Sequence, residues 1–257
     1  MGAIVAAVYG GVAYLIFLGA FLHAIAFVGN LPFGKTIDSG TPGSLAGALL
    51  VDTALLALFA VQHSVMARPG FKRWWTRYVP KSVERSTYVL LASLILLLMF
   101  WQWQPIGGTV WELTGTAASV VSALFWLGWA ILLLATFLIN HFELFGLAQV
   151  RARFGGREAP PTTFRAPLLY RWSRHPIYLG FLISFWAAPT MSAGHLLFSV
   201  GTTGYILLGI FLEERDLVVQ FGEQYRDYRR RVGMLFTLPG RGKRAPAAPL
   251  PSRAGSP

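Results

Sequence analysis

Three short segments carry side chains that could do chemistry. Asn140-His141-Phe142-Glu143 sets an imidazole close to a carboxylate. Tyr170-Arg171-Trp172-Ser173-Arg174-His175-Pro176-Ile177-Tyr178 combines basic groups, an imidazole and two phenols. Glu213-Glu214-Arg215-Asp216-Leu217, then Phe221-Gly222, Tyr225 and Tyr228, supplies twin acids and aromatic rings. A histidine titrates near neutrality and is the usual general base. Each segment also has a plainer reading. Arg174-His175-Pro176 could be a basic cluster with proline at the first helical position, where its missing N–H costs nothing. Glu213-Glu214 could be the polar end of an apolar helix. Phe221, Tyr225, Tyr228 and Val232 recur at helical spacing, which describes an amphipathic helix lying on a membrane surface.

The elements that must position these groups are apolar. Of 257 residues, 54% are hydrophobic and 13% charged, about half the charged share of a soluble domain. Mean hydropathy is +0.53. Residues 4–28, 45–65, 88–103 and 117–139 are four blocks suited to crossing a hydrocarbon core. The apolar stretch 177–212 is too long for one span, and Pro189 and Gly194 break it into a helical hairpin. The expectation is an all-α, polytopic integral membrane bundle of about six membrane segments, four spans plus the hairpin. Residues 1–139 form its N-terminal helices. Residues 140–239 carry the chemistry, with the hairpin and an interfacial helix. Residues 240–257, rich in Pro, Ala, Gly and Arg, read as a disordered tail.

Net charge is +11, and every Lys and Arg except Lys35 falls after the second, fourth or last apolar block. That asymmetry fits the positive-inside rule rather than nucleic-acid binding. It places both termini and all three chemical segments on the cytoplasmic side of the cell's inner membrane. The first block lacks a basic n-region and a clear cleavage site, so it reads as a retained helix. No cysteine is present, which excludes a disulfide, a thiolate nucleophile and a cysteine metal site; no metal centre is expected.

The hairpin returns Glu213 to the neighbourhood of His175, so a carboxylate pair, an imidazole and several rings meet at one rim. Such a rim suits a zwitterionic, cationic ligand such as S-adenosylmethionine. Its amino group and ribose hydroxyls match carboxylates, and its sulfonium matches aromatic faces.

Arg174-His175-Pro176-x-Tyr178-x-Gly180, followed after one hairpin by Glu213-Glu214-x-x-Leu217-x-x-x-Phe221-Gly222-x-x-Tyr225-x-x-Tyr228-x-x-x-Val232, resembles the paired motif of the isoprenylcysteine carboxyl methyltransferase superfamily. Gln62-His63-Ser64, Phe71-Lys72-Arg73-Trp74-Trp75, Glu84-Arg85-Ser86-Thr87-Tyr88 and Asn140-His141-Phe142-Glu143-Leu144-Phe145-Gly146-Leu147 extend the likeness over nearly the whole chain. Within the superfamily this fuller pattern is similar to the bacterial methanethiol S-methyltransferases. The resemblance implies a pocket for S-adenosylmethionine, closed by the cytoplasmic loop and tail. It assigns cofactor contacts to His175, Pro176, Tyr178, Glu213 and Tyr170. A loop over 162–165 (Thr163, Phe164, Arg165), a looser match, would wrap the adenosyl group; Arg174 belongs to the cofactor motif with His175, and Glu214 and Tyr225 are weaker carry-overs. The implied reaction is methylation of a small thiol, methanethiol to dimethyl sulfide.

A thiol titrates above neutrality, at about 8.5 for cysteine, so a base is needed. His141 with Glu143 as its orienter is the first choice and His63 the second. His23, His195 and Asp52 read as structural. Three other functions stay open: a prenylcysteine-type carboxyl methyltransferase, a membrane reductase using NADPH, and a haem-binding protein with His23 and His63 as axial ligands.

Overall fold

The computed structural model describes residues 2–156 and 164–237, and these form an α-helical bundle. In chain order the helices are α1 (Ala3–Val28), α2 (Leu45–Ala67), α3 (Pro69–Trp75), α4 (Lys81–Gln102), α5 (Gly115–Ile139), α6 (His141–Leu144), α7 (Leu147–Phe154), α8 (Pro176–Trp186), α9 (Ala193–Phe221) and α10 (Glu223–Arg231), with a 3-10 turn at Leu168–Arg171. Of these, α1, α2, α4, α5 and α9 are long and apolar enough to cross a bilayer. Large apolar side chains such as Leu15, Leu50, Val61, Leu134 and Phe211 stay exposed on their outer faces, as a hydrocarbon solvent permits. The chain is a multi-pass membrane protein.

The expected hairpin is present, with unequal arms. The first arm, α8, has 11 residues, about 16 Å at 1.5 Å per residue, roughly half a hydrocarbon core. The second, α9, has 29 residues and continues past 212 to Phe221, so the twin acids sit on a continuous helix. The third span likewise starts at Lys81 rather than 88. Its added turns are held by packing, because Val83 is buried against Ala6 of α1 and Val150 of α7.

A two-stranded ribbon marks the end of the bundle away from the basic loops. β1 (Thr109–Glu112) lies between α4 and α5, and β2 (Thr190–Ser192) lies in the turn of the hairpin. They pair antiparallel, Thr109 with Ser192 and Glu112 with Thr190. The Trp111 indole donates to the Ala188 carbonyl at 2.9 Å. Ser192 then caps α9, accepting from the His195 amide at 3.0 Å. Asp52, fully buried in α2, accepts from the Gln104 amide at 2.8 Å and pins α2 to the end of α4. Its role is therefore packing, as expected.

Between the two ends, α5 and α8 meet backbone to backbone. A Cβ on Gly180 would fall 2.6 Å from the Gly128 carbonyl oxygen, and one on Gly128 would fall 2.7 Å from the Gly180 carbonyl oxygen. Small residues at such a crossing let membrane helices approach closely. Around this contact Phe27, Phe100, Trp103, Trp129, Phe185 and Phe198 fill the core.

Candidate active site

The basic end of the α8–α9 pair is built from three separate pieces of chain. The turn before α8 carries Ser173, Arg174 and His175. A short extended stretch after α10 runs beside it: the Arg174 amide donates to the Gly233 carbonyl at 3.0 Å and the His175 amide to the Met234 carbonyl at 3.2 Å. The end of α9 supplies Glu213 and Glu214. Pro176 opens α8, so the helix starts directly after His175 and holds the ring against α9.

The charges then sort themselves. Arg174 Nε donates to Glu214 Oε1 at 2.7 Å, both side chains being 12% exposed. The same arginine donates through Nη1 to the carbonyls of Arg229 (3.0 Å) and Val232 (2.7 Å). His175 Nε2 lies 3.1 Å from Glu214 Oε1, and Arg229 Nη1 lies 3.6 Å from Glu214 Oε2. Glu214 is thus held by two arginines and an imidazole. Glu213 is not: its side chain is 43% exposed, and His175 Nδ1 stands 3.8 Å away. The Tyr178 hydroxyl faces the same carboxylate. His175 bridges the two acids, one ring nitrogen toward each.

Aromatic rings close the other side. Phe164 packs on Phe221, Tyr225 and Tyr228 with ring centroids 5.5, 6.0 and 5.2 Å apart. The stripe read as a membrane-facing surface is therefore turned inward: Tyr225 and Tyr228 are buried, and Phe164 and Ala166 cover them. Tyr228 Oη donates to the Tyr170 carbonyl at 2.5 Å. Tyr170 Oη reaches the Ala135 carbonyl on α5 at 3.4 Å. Burial pushes the Tyr228 phenol up to about 12, and raises Tyr170 and Tyr225 as well. These rings are neutral donors. The Tyr225 hydroxyl is buried with no partner among the described residues.

Of the residues expected at this rim, the fold brings together Phe164, Tyr170, Arg174, His175, Pro176, Tyr178, Glu213, Glu214 and Tyr225. Arg165 is exposed at the edge. Thr163 lies outside the described residues, as do the proposed wrapping loop before Phe164 and the tail from 240.

His141 is placed differently from expectation. Asn140 takes φ +139°, a conformation side chains rarely adopt, and turns the chain so that the ring points into the bundle. There Nε2 meets Tyr14 Oη at 2.8 Å and Nδ1 meets Thr136 Oγ1 at 2.9 Å. Phe137 stacks on the ring at 4.3 Å. Burial lowers its pKa. Glu143 accepts instead from Asn140 Nδ2 at 2.7 Å. The expected His141–Glu143 dyad is corrected on this point: Tyr14 and Thr136 occupy the ring nitrogens that Glu143 was to orient. Tyr14 was not foreseen. Its only signal was a phenol, one of two with Tyr9 in an apolar run, whose polar tip needs a partner when buried.

His63 lies near the basic end of α2, with Nδ1 3.1 Å from Tyr88 Oη. Its Nε2 is buried without a partner among the described residues. His23 packs on Phe100, toward the ribbon end of α4, and His195 Nε2 meets the Phe185 carbonyl at 3.0 Å. Both read as structural, and His23 and His63 are too far apart along the bundle to share one haem. Among the described residues no cluster of His, Asp and Glu could hold a metal ion.

With this geometry in hand, likeness to known proteins can be weighed. The model of the NnrU protein family matches residues 52–216. Methanethiol S-methyltransferase from Mycobacterium tuberculosis is 56% identical, over 91% of this chain and 96% of its own length. Methanethiol S-methyltransferase 2 from Bradyrhizobium diazoefficiens is 54% identical over 88% of each chain. Nurim from Bos taurus is more distant, at 29% over 80% of this chain and 86% of its own length. No solved structure matches. At that identity over most of each chain, the chain belongs to the methanethiol S-methyltransferase family.

Proposed function

We propose that this protein transfers a methyl group from S-adenosylmethionine to methanethiol, giving dimethyl sulfide, at the basic end of the bundle. The acceptor follows the name borne by relatives 54% and 56% identical to it. The donor is supported by the division of labour between the acids. Glu214 is consumed by Arg174, His175 and Arg229, and Glu213 is left half-open beside a rim of phenols. A carboxylate so held accepts an ammonium group well.

The remaining residues fit the same ligand. The unpartnered Tyr225 hydroxyl can meet a polar atom of the nucleoside. Phe164, Tyr225 and Tyr228 offer faces for a flat base or a sulfonium. When bound, S-adenosylmethionine supplies an electrophilic methyl on a cationic sulfur. The chain's own work is to bind, orient and dry the site. Glu213 holds the amino group, with Tyr178 and His175 fixing the carboxylate. Tyr228 fixes Tyr170 through its carbonyl. The buried ring cluster excludes water, which strengthens every electrostatic contact inside. The concentration of Lys and Arg at this end supports a site on the cytoplasmic face of the inner membrane.

The direct test uses purified protein in lipid nanodiscs with methyl-labelled S-adenosylmethionine and methanethiol. Labelled dimethyl sulfide should appear in the headspace. If S-adenosylhomocysteine binds but no small thiol receives label, the acceptor assignment is wrong. Label on the carboxyl of a prenylated cysteine peptide would put the carboxyl methyltransferase reading in its place.

A further inference from the structure

Methanethiol carries a proton that must leave as the sulfur reacts, and two histidines at the basic end are candidates to take it. They differ in what their nitrogens already do. At His141 both are engaged. The Thr136 hydroxyl donates to the Leu133 carbonyl at 2.7 Å, so it accepts from Nδ1–H, and Tyr14 donates to Nε2. Nothing is left over for a substrate.

At His63 one nitrogen is free. Tyr88 Oη lies 3.4 Å from the His63 carbonyl and 3.1 Å from Nδ1. The hydroxyl donates to the carbonyl and accepts from Nδ1–H. That arrangement leaves Nε2 with its lone pair, buried and unpartnered among the described residues. The ring sits among Phe59, Tyr88 and Tyr205, with centroids 5.2, 5.1 and 6.3 Å away. Tyr205 is held by Ser64 Oγ at 3.3 Å.

This nest adjoins the Glu213 rim. Just beyond His63, Arg68 pairs at 3.0 Å with Asp216, just beyond Glu213, so the two groups lie at similar heights on neighbouring helices. Between them Gly209 has no side chain, and a Cβ there would come to 3.9 Å from Tyr178 Oη. Tyr178 thus faces Glu213 and packs beside the bare backbone of α9 at Gly209. A buried lone pair without a donor carries a cost that a protic ligand would remove.

We propose that His63 is the catalytic base, with Nε2 taking the thiol proton in an acceptor subsite walled by Phe59, Tyr88 and Tyr205. The proposal rests on the thiol reading above. As the S–H proton passes to Nε2, the sulfur attacks the methyl carbon. One C–S bond forms with the thiol's electron pair, and the old C–S bond breaks with its pair going to the departing thioether. The positive charge once on the sulfonium ends on the imidazolium, which later releases its proton. Aromatic walls suit a small apolar thiol, and Arg85 lies over the Tyr88 ring, 5.1 Å from its centroid.

The test compares wild type with His63→Gln in nanodiscs, using S-adenosylhomocysteine affinity by calorimetry as the check on fold. Methanethiol turnover should fall by about a hundredfold or more with that affinity unchanged. Methylation of hydrogen sulfide, already largely ionised near neutrality, should fall far less. A second readout is the pH profile: above neutrality wild-type turnover of methanethiol should stay nearly level, and that of the variant should climb with the ionised share of the thiol. Equal losses for the two acceptors, or parallel pH profiles, would overturn the assignment. Should His63→Gln lose S-adenosylhomocysteine binding, Tyr88→Phe carries the same comparison, with a smaller selective loss on methanethiol expected and wild-type rates fatal. Wild-type protein that methylates neither acceptor strikes the thiol reading first, and this proposal falls with it.

Discussion

Glu213 and Glu214 follow one another on α9 but enter different regions of the molecule. Glu214 turns toward α10 and the strand after it, where two arginines and His175 enclose it at 12% exposure. Glu213 turns toward α8, remains 43% exposed and faces His175 Nδ1 and Tyr178. One acid therefore binds the C-terminal segment to the bundle, and the other faces the space that this binding encloses. In the function proposed above the pair is a structural clamp and a ligand arm, set side by side because successive residues on a helix point about 100° apart.

The largest effect should come from Glu214→Ala. It leaves Arg174 and His175 buried without their acid, a change that costs about 3–5 kcal/mol. The melting temperature in detergent should fall sharply, and S-adenosylhomocysteine binding should go with it. Next, Glu213→Ala should leave the melting temperature close to wild type while weakening S-adenosylhomocysteine about ten- to a hundredfold, the worth of one charged hydrogen bond. Calorimetry and thermal scanning read both quantities. The smallest effect belongs to Arg229→Ala. Its guanidinium is half-exposed and 3.6 Å from Glu214, so the loss should stay below about 1 kcal/mol and shrink further with salt. If Glu213→Ala melts the protein while Glu214→Ala only loses ligand, the two roles are reversed.

Much of this was legible in the sequence. Apolar block lengths and the placement of Lys and Arg gave the spans, and the break at Pro189 brought His175 back to the twin acids. Other features depend on contacts that no local pattern encodes. The division between Glu213 and Glu214 is set by Arg174, forty residues away in sequence. The Tyr225–Tyr228 stripe looks membrane-facing because its cover, Phe164, lies far back along the chain. The spacing of His141 and Glu143 suggested a dyad, and only the unusual backbone at Asn140 reveals that the imidazole turns inward to Tyr14. The full length of α4 was hidden because its first turns carry charges, and tertiary packing on α1 and α7 overrides their polarity.

The Gly128–Gly180 crossing governs traffic. Methanethiol partitions into oil and can arrive sideways, through the lipid, as well as from water. Two main chains in contact make α5 and α8 a welded seam that admits nothing and leaves little freedom to gape. A solute coming from the bilayer is turned away at that crossing.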